Sequence, residues 1–310
     1  MNAPRLIDTV RRVVQASLTN QIARYAPSTY VQLTGQTGRG AGEVRLDEVS
    51  DYFETCLDDY FAQLSVGKTH RTAFLRGKRI LEYGPGDVPG VAILMVANGA
   101  DQVVCVDRFP LVRMSAKNIE IVKILLTRLS QPLRERAEAC FRQAGRPESG
   151  LNSDRISYLV RPSGLSGLRD EIDLVISRAV LEHVNDLPAT FRDMYSALKP
   201  GGIALHQVDL KSHGLHRENP LDFLNWPPWL WSVMYSAKGV PNRLRANAYR
   251  DAVQQCGFEL VSMTPTLQAS ADDVRAVRAH LAAPFRNLSD TDLAWLGFWL
   301  ICRKPAVQTQ

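Results

Sequence analysis

The sequence predicts an open α/β sheet, mostly parallel and covered by helices on both faces. Three observations lead there. From residue 79 onward, short apolar runs of strand length alternate with longer segments of helical period. Gly84, Gly86 and Gly90 follow the first of these runs and open a helix. Asp107 ends the second run, 21 residues after Gly86. A carboxylate at the tip of a second parallel strand can accept hydrogen bonds from both hydroxyls of a ribose. This half of the chain therefore reads as a nucleoside-binding unit.

The elements follow in order. Residues 4–27 carry Leu6, Ile7, Val10, Val13, Val14, Leu18 and Ile22 at spacings of three and four, which predicts a helix. Thr34 to Gly42 holds four glycines in nine residues and reads as a mobile loop. A second helix over 46–64 carries Tyr52, Phe53, Tyr60 and Phe61, which either pack it on the core or shape a pocket. Strands are expected near 79–83, 102–107, 156–160, 172–177, 202–209, 258–264 and 296–303. Helices are expected near 89–99, 111–128, 131–142, 179–198 and 246–256. Pro200-Gly201-Gly202 stops the helix before it and turns into the fifth strand. Residues 210–245 exceed a minimal connection and hold His213, His216, Trp226, Trp229, Trp231, Tyr235 and four prolines. That composition suits a structured lid beside the ligand crevice, although any one tryptophan is equally a packing element. The expected division is an N-terminal helical cap over 1–75 and a main domain over 76–310, with 210–245 as its substrate lid.

Composition narrows the class. The chain has 310 residues, 45% of them apolar, and a net charge of +5. Lysines and arginines are spread out rather than gathered in runs, so no nucleic-acid partner is expected. Five cysteines stand far apart without a C-x-x-C pair, which fits a reducing cytoplasm and argues against a structural zinc site. No secretory signal and no apolar run of about 18 residues is visible, so no membrane span is expected.

The ligand is narrowed by departures from a dinucleotide site. A pyrophosphate binder places its third glycine three positions after the second. Here Gly90 comes four after Gly86 and follows Pro89. Glu82 stands two positions before Gly84, where a carboxylate would repel a pyrophosphate but suit a sulfonium and an ammonium. Further on come Asp173-Leu-Val-Ile-Ser-Arg-Ala-Val-Leu-Glu-His-Val184 and Leu198-Lys-Pro-Gly-Gly-Ile-Ala-Leu205. With these motifs, residues 78–265 resemble the class I S-adenosylmethionine-dependent methyltransferases. The resemblance implies a Rossmann-like, seven-stranded sheet closed by an antiparallel hairpin, with Leu296 to Cys302 as its last strand. It implies S-adenosylmethionine as cofactor, held by Glu82, Tyr83, Gly84, Gly86, Asp107, Arg108, Ser163, Ser177 and Arg178. The family often has an acidic residue after the third strand, near the adenine amine. This chain has Val160-Arg161-Pro162-Ser163 instead, which leaves backbone groups and the Ser163 hydroxyl for that contact. His183, at the first turns of the helix after strand four, either touches the acceptor or packs the helix.

Methyl transfer is an in-line displacement, in which the protein mainly aligns the groups and excludes water. A hydroxyl acceptor also benefits from a base. His206, Asp209 and His213 lie at the end of strand five. Alternation puts His206 and Val208 on one face and Gln207 and Asp209 on the other. His206 and His213 rank equally as base candidates, Asp209 as an orienting or substrate-binding carboxylate, and His206 is equally a core histidine. His216, Trp226 and Tyr235 are expected to meet the acceptor. No run of Asp, Glu and Asn follows strand four, so a metal-independent reaction is expected. The segments 84–90, 206–213 and 219–224 resemble methyltransferases of bacterial surface-polysaccharide pathways. That likeness implies O-methylation of a sugar, whether free, nucleotide-linked or within a glycan. A natural-product or other small-molecule O- or N-methyltransferase, and a non-catalytic cofactor-binding subunit, are the alternatives.

Overall fold

The structure, a computed structural model, describes residues 3–35 and 45–306, with side chains from Thr9 onward. The Gly-rich loop expected over 34–42 therefore lies largely outside the described residues. Ahead of the sheet come α1 (Ala3–Tyr25), α2 (Pro27–Thr34) and α3 (Leu46–Gln63). Helix α2 was not foreseen; Pro27 starts it and Gly35 ends it at φ 59°. A short helix α4 (Arg71–Leu75) leads into the sheet.

The sheet segments are β1 (Arg79–Tyr83), β2 (Gln102–Asp107), β3 (Ile156–Val160), β4 (Ile172–Arg178), β5 (Leu198–Asp209), β6 (Glu259–Gln268) and β7 (Trp295–Arg303). They form one seven-stranded sheet in the order β3-β2-β1-β4-β5-β7-β6. β1 to β5 pair in parallel, and β7 runs antiparallel between β5 and β6. The Rossmann-like, mostly parallel sheet expected from the sequence is thus present. Its strand order reverses between β1 and β4, and a crevice opens at the carboxyl ends of strands at such a switch point. β5 starts at Leu198, ahead of the Pro-Gly-Gly turn, because Leu198 already pairs with Ile172 before the register shifts.

The helices on the sheet are α5 (Gly90–Ala97), α6 (Ala116–Arg128), α7 (Gln131–Glu138), α8 (Leu187–Ala197) and α10 (Ala246–Gln255), with α9 (Pro228–Tyr235) in the insertion. Two further helices, α11 (Ala271–Arg278) and α12 (Asp290–Ala294), fill the link between β6 and β7. The helix expected over 179–198 is shorter than its apolar pattern. A 3-10 turn spans Leu181–His183, and α8 begins at Leu187 because the Asp186 side chain accepts the Ala189 amide at 2.8 Å.

Two apolar layers sandwich the sheet. One holds Phe53, Tyr60 and Phe61 of α3 with α5 and α6; the other holds Phe191 of α8 with Tyr249 of α10. A third cluster joins the insertion to α1 and α11 through Ala16, Phe223, Trp231, Tyr235, Val274 and Val277. Asn20 ties α1 to that insertion, donating to the Val233 carbonyl at 3.0 Å and accepting the Ala237 amide at 2.8 Å. The stripe Val10, Val14 and Leu18 faces outward instead, at 53–62% exposure. All five cysteines are free thiols, and no described helix is long and apolar enough to cross a membrane.

Candidate functional site

A crevice of about 730 Å³ opens at the carboxyl ends of β1, β2, β4 and β5, a size suited to a small-molecule ligand. Its floor is the turn after β1. Gly84 and Gly86 have φ of 66° and 74°, a region that side chains other than glycine rarely adopt. A Cβ on Gly84 would also stand 2.5 Å from Val180 Cγ2. The loop therefore lies flat under whatever fills the crevice. Gly90 serves a different purpose: a Cβ there would strike the Phe53 ring, so the glycine lets α3 press onto α5.

Asp107 lines the crevice at the end of β2, and its Oδ1 accepts the Phe109 amide at 3.2 Å. Burial pushes its carboxyl up to about 6, against the opposing pull of the Phe109 and Arg108 amides. The loop after β3 brings Ser163 and Gly164 to the wall. Asp193 of α8 pins that loop by accepting the Ser166 amide at 2.6 Å, the Gly167 amide at 2.8 Å and the Tyr83 hydroxyl. Arg108 joins the walls, donating to the His183 carbonyl and to Asn185 Oδ1, both at 3.1 Å. Arg178 donates to Asp59 of α3 at 2.7 Å and lies over the Tyr52 ring. Tyr83, Gly84, Gly86, Asp107, Arg108, Ser163 and Arg178 thus share one crevice.

Two residues expected at the cofactor are elsewhere. Glu82 pairs in register with Cys105, whose thiol donates to it at 3.6 Å, and both point into the layer under α3. Alternation along β1 sends Tyr83 to the crevice and Glu82 away from it, and burial pushes the Glu82 carboxyl up to about 7. Ser177 is fully buried and bonds His206 Nδ1 at 2.7 Å.

That contact also corrects the placing of His206. Its ring is fully buried, packs against Phe191, and is pulled down to about 3 by burial, so it stands in the core rather than at the crevice. The opposite face of β5 presents Gln207 and Asp209 to the crevice. Asp209 Oδ2 meets Lys211 Nζ at 3.0 Å, and its Oδ1 lies 3.9 Å from His213 Nε2. His213 has φ 51°, and Ala179 on the facing wall has φ 52°, two strained positions on one crevice.

His183 lines the crevice too, in the 3-10 turn rather than a helix. Its ring stands 5.0 Å from that of His213, nearly perpendicular to it. Burial first, then His213, pulls His183 down to about 4. Glu182 beside it is 1% exposed, and burial holds its carboxyl well above the usual range. Glu182, His183 and His213 each offer one ligand atom, all within 4.8 Å of one another.

Of the other expected acceptor contacts, His216 lines a smaller adjoining cavity of about 310 Å³ that shares Asp209, Lys211 and His213. Trp226 and Tyr235 are not on the crevice wall. Trp226 borders the insertion's own core, and Tyr235 stacks on Trp231 at 4.5 Å. Apolar burial with α1 claims these rings. Thr34, Gly35, Tyr52, Phe109 and Gly239 also line the crevice, and Tyr52 alone among them is a pocket candidate in the sequence. Of these, Tyr52 belongs to the aromatic set of α3, whose other members face the core.

The profile of the methyltransferase-domain family matches residues 58–263, well over half of the chain and the whole of β1 to β5. Three solved structures are similar to the chain at low identity. An S-adenosylmethionine-dependent methyltransferase from Mesorhizobium loti is 18% identical, covering 84% of this chain and 100% of its own, with a TM-score of 0.45. S-adenosylmethionine-dependent methyltransferases from Methanosarcina mazei are represented at 16% identity, 74% and 94% coverage, and a TM-score of 0.41. A putative S-adenosylmethionine-dependent methyltransferase from Listeria monocytogenes is 12% identical over 76% and 96%, with a TM-score of 0.41. No curated protein matches the sequence. With the glycine turn under the crevice and Asp107 at the end of β2, the chain belongs to the methyltransferase-domain family and is an S-adenosylmethionine-dependent methyltransferase.

Proposed function

We propose that this protein O-methylates a hydroxyl of a sugar or glycan. The observation that carries the reading is the meeting of Asp209 and His213 with Gly84, Gly86 and Asp107 on one crevice. Gln207 and Lys211 add polar groups at the same end, as a hydroxyl-rich acceptor requires. In the reaction an acceptor oxygen attacks the methyl carbon as the carbon–sulfur bond breaks. The Asp209–His213 pair takes the hydroxyl proton, and S-adenosylhomocysteine and a methyl ether leave. Residues 1–75 act as a cap over the cofactor and 210–245 as a lid over the acceptor. The wall positions of Thr34, Gly35 and Tyr52, and of Lys211, His213 and Gly239, support those roles.

The test is incubation with S-adenosylmethionine and separate sets of nucleotide sugars, oligosaccharides, phenols and amines, read by mass spectrometry. A singly methylated sugar is expected. Transfer confined to phenols or amines would refute the sugar reading. With an acceptor in hand, His213→Ala should lower turnover by roughly 10²–10⁴-fold at unchanged cofactor affinity.

A further inference from the structure

Two histidines of the crevice wall, His183 and His213, stand against a carboxyl buried behind it, that of Glu182. Glu182 is 1% exposed, no side chain hydrogen-bonds its carboxylate oxygens, and its nearest donors are the backbone amides of Glu182 and Asp209. A buried carboxylate without a side-chain partner is costly, and protein interiors rarely tolerate it. His183 Nε2 lies 3.8 Å from Glu182 Oε1, and the Val240 backbone is the ring's other polar neighbour. His213 arrives from the far side of the crevice, after β5, and completes a set of three potential ligand atoms within 4.8 Å.

We propose that Glu182, His183 and His213 bind a divalent transition-metal ion at the acceptor end of the crevice. Two imidazole nitrogens and one carboxylate oxygen suit zinc, manganese, iron, cobalt or nickel, whereas magnesium and calcium favour all-oxygen sites. Three protein ligands leave coordination positions for water or an acceptor oxygen. The spacing, up to 4.8 Å, is nearly 2 Å wider than the roughly 3 Å between ligand atoms bonded at 2.0–2.2 Å, so the site requires side-chain rotation to close it. The support is already built. Asn242 holds the 181–183 turn through the Leu181, Glu182 and Val184 carbonyls, and Arg108 holds the His183 carbonyl. Asp209 Oδ1 faces the His213 ring from 3.9 Å, beyond hydrogen-bond reach of Nε2.

The site's role rests on the hydroxyl-acceptor reading above, although its existence does not. A metal-bound hydroxyl loses its proton more readily. With His213 as a ligand, the proton passes to Asp209, the oxygen–carbon bond forms and the carbon–sulfur bond breaks.

The experiment uses the full chain stripped by dialysis against EDTA. Co²⁺ is titrated by visible absorption and Zn²⁺ by calorimetry, for the wild type, Glu182→Gln and His213→Ala. One equivalent should bind, with cobalt bands of a nitrogen and oxygen site. Affinity should fall by roughly tenfold or more in each variant, while S-adenosylhomocysteine still binds all three and so reports an intact fold. Absence of saturable binding, or unchanged affinity in either variant, overturns the site. These readouts contain no methyl transfer, so a wrong acceptor class would leave them standing. Full turnover of stripped enzyme in EDTA would remove the metal from the reaction while keeping the methyltransferase reading.

Discussion

Asp107 shows how one side chain links burial to ligand affinity. Burial pushes its carboxyl up to about 6 in the free protein. On the proposed contact, ribose hydroxyls would donate to the ionised form, and the cofactor would lower that value on binding. The sign follows: affinity is full above pH 6 and falls as pH drops through it, because binding must then expel a proton. Calorimetry of S-adenosylmethionine binding should therefore show weaker binding at pH 5 than at pH 7.5. Asp107→Ala should weaken binding at pH 7.5 by about 1.5–3 kcal/mol, the scale of a charge-assisted hydrogen bond, and should flatten that pH profile. Equal affinity in the variant would remove Asp107 from the cofactor site.

Among the elements, the 181–183 turn owes its shape to a residue about 60 positions away. The Asn242 amide donates to the Glu182 carbonyl at 2.6 Å, and its side chain donates to the Leu181 and Val184 carbonyls at 3.0 and 3.1 Å. Asn242→Ala removes the two side-chain bonds to the turn and a third, in which its Oδ1 accepts the Leu244 amide at 2.9 Å. At about 1 kcal/mol each, urea unfolding should show a loss of roughly 1–3 kcal/mol, with turnover reduced and S-adenosylhomocysteine affinity kept. A variant as stable as the wild type would show that the turn holds itself. The cue for the true helix start, Asp186 followed by Pro188, was present in the sequence. The apolar periodicity upstream of it masked the boundary.

Across the whole molecule, Arg245 joins pieces that are distant in sequence. Its fully buried guanidinium donates to the carbonyls of Leu210 after β5, Leu293 in α12 and Trp295 at the start of β7. Burial pulls it down to about 10, so it still carries charge at neutral pH. Arg245→Ala leaves these carbonyls uncovered and opens a cavity between the lid and the sheet. A loss of about 3–5 kcal/mol is expected from denaturant midpoints at an unchanged slope. A loss below 1 kcal/mol would mean that water replaces the guanidinium at little cost.

What the sequence determined by itself is what short-range geometry controls. The strand–turn–helix around Gly84 and Gly86, the place of Asp107 and the alternation of Gln207 and Asp209 all follow from local backbone periods. Packing decided the rest. Alternation divides β5 into two faces but does not say which one meets the crevice. That depended on α8 covering the other, which buried His206 with Ser177 and Phe191 and left Asp209 on the wall. On β1 the same rule turned Glu82 under α3. The insertion's rings went to α1 and α11 because apolar burial there outweighed exposure at the crevice. The meeting of Glu182 and His183 with His213 spans two separate strand ends. It was invisible in the sequence because the approach of β4 and β5 exists only once the sheet has formed.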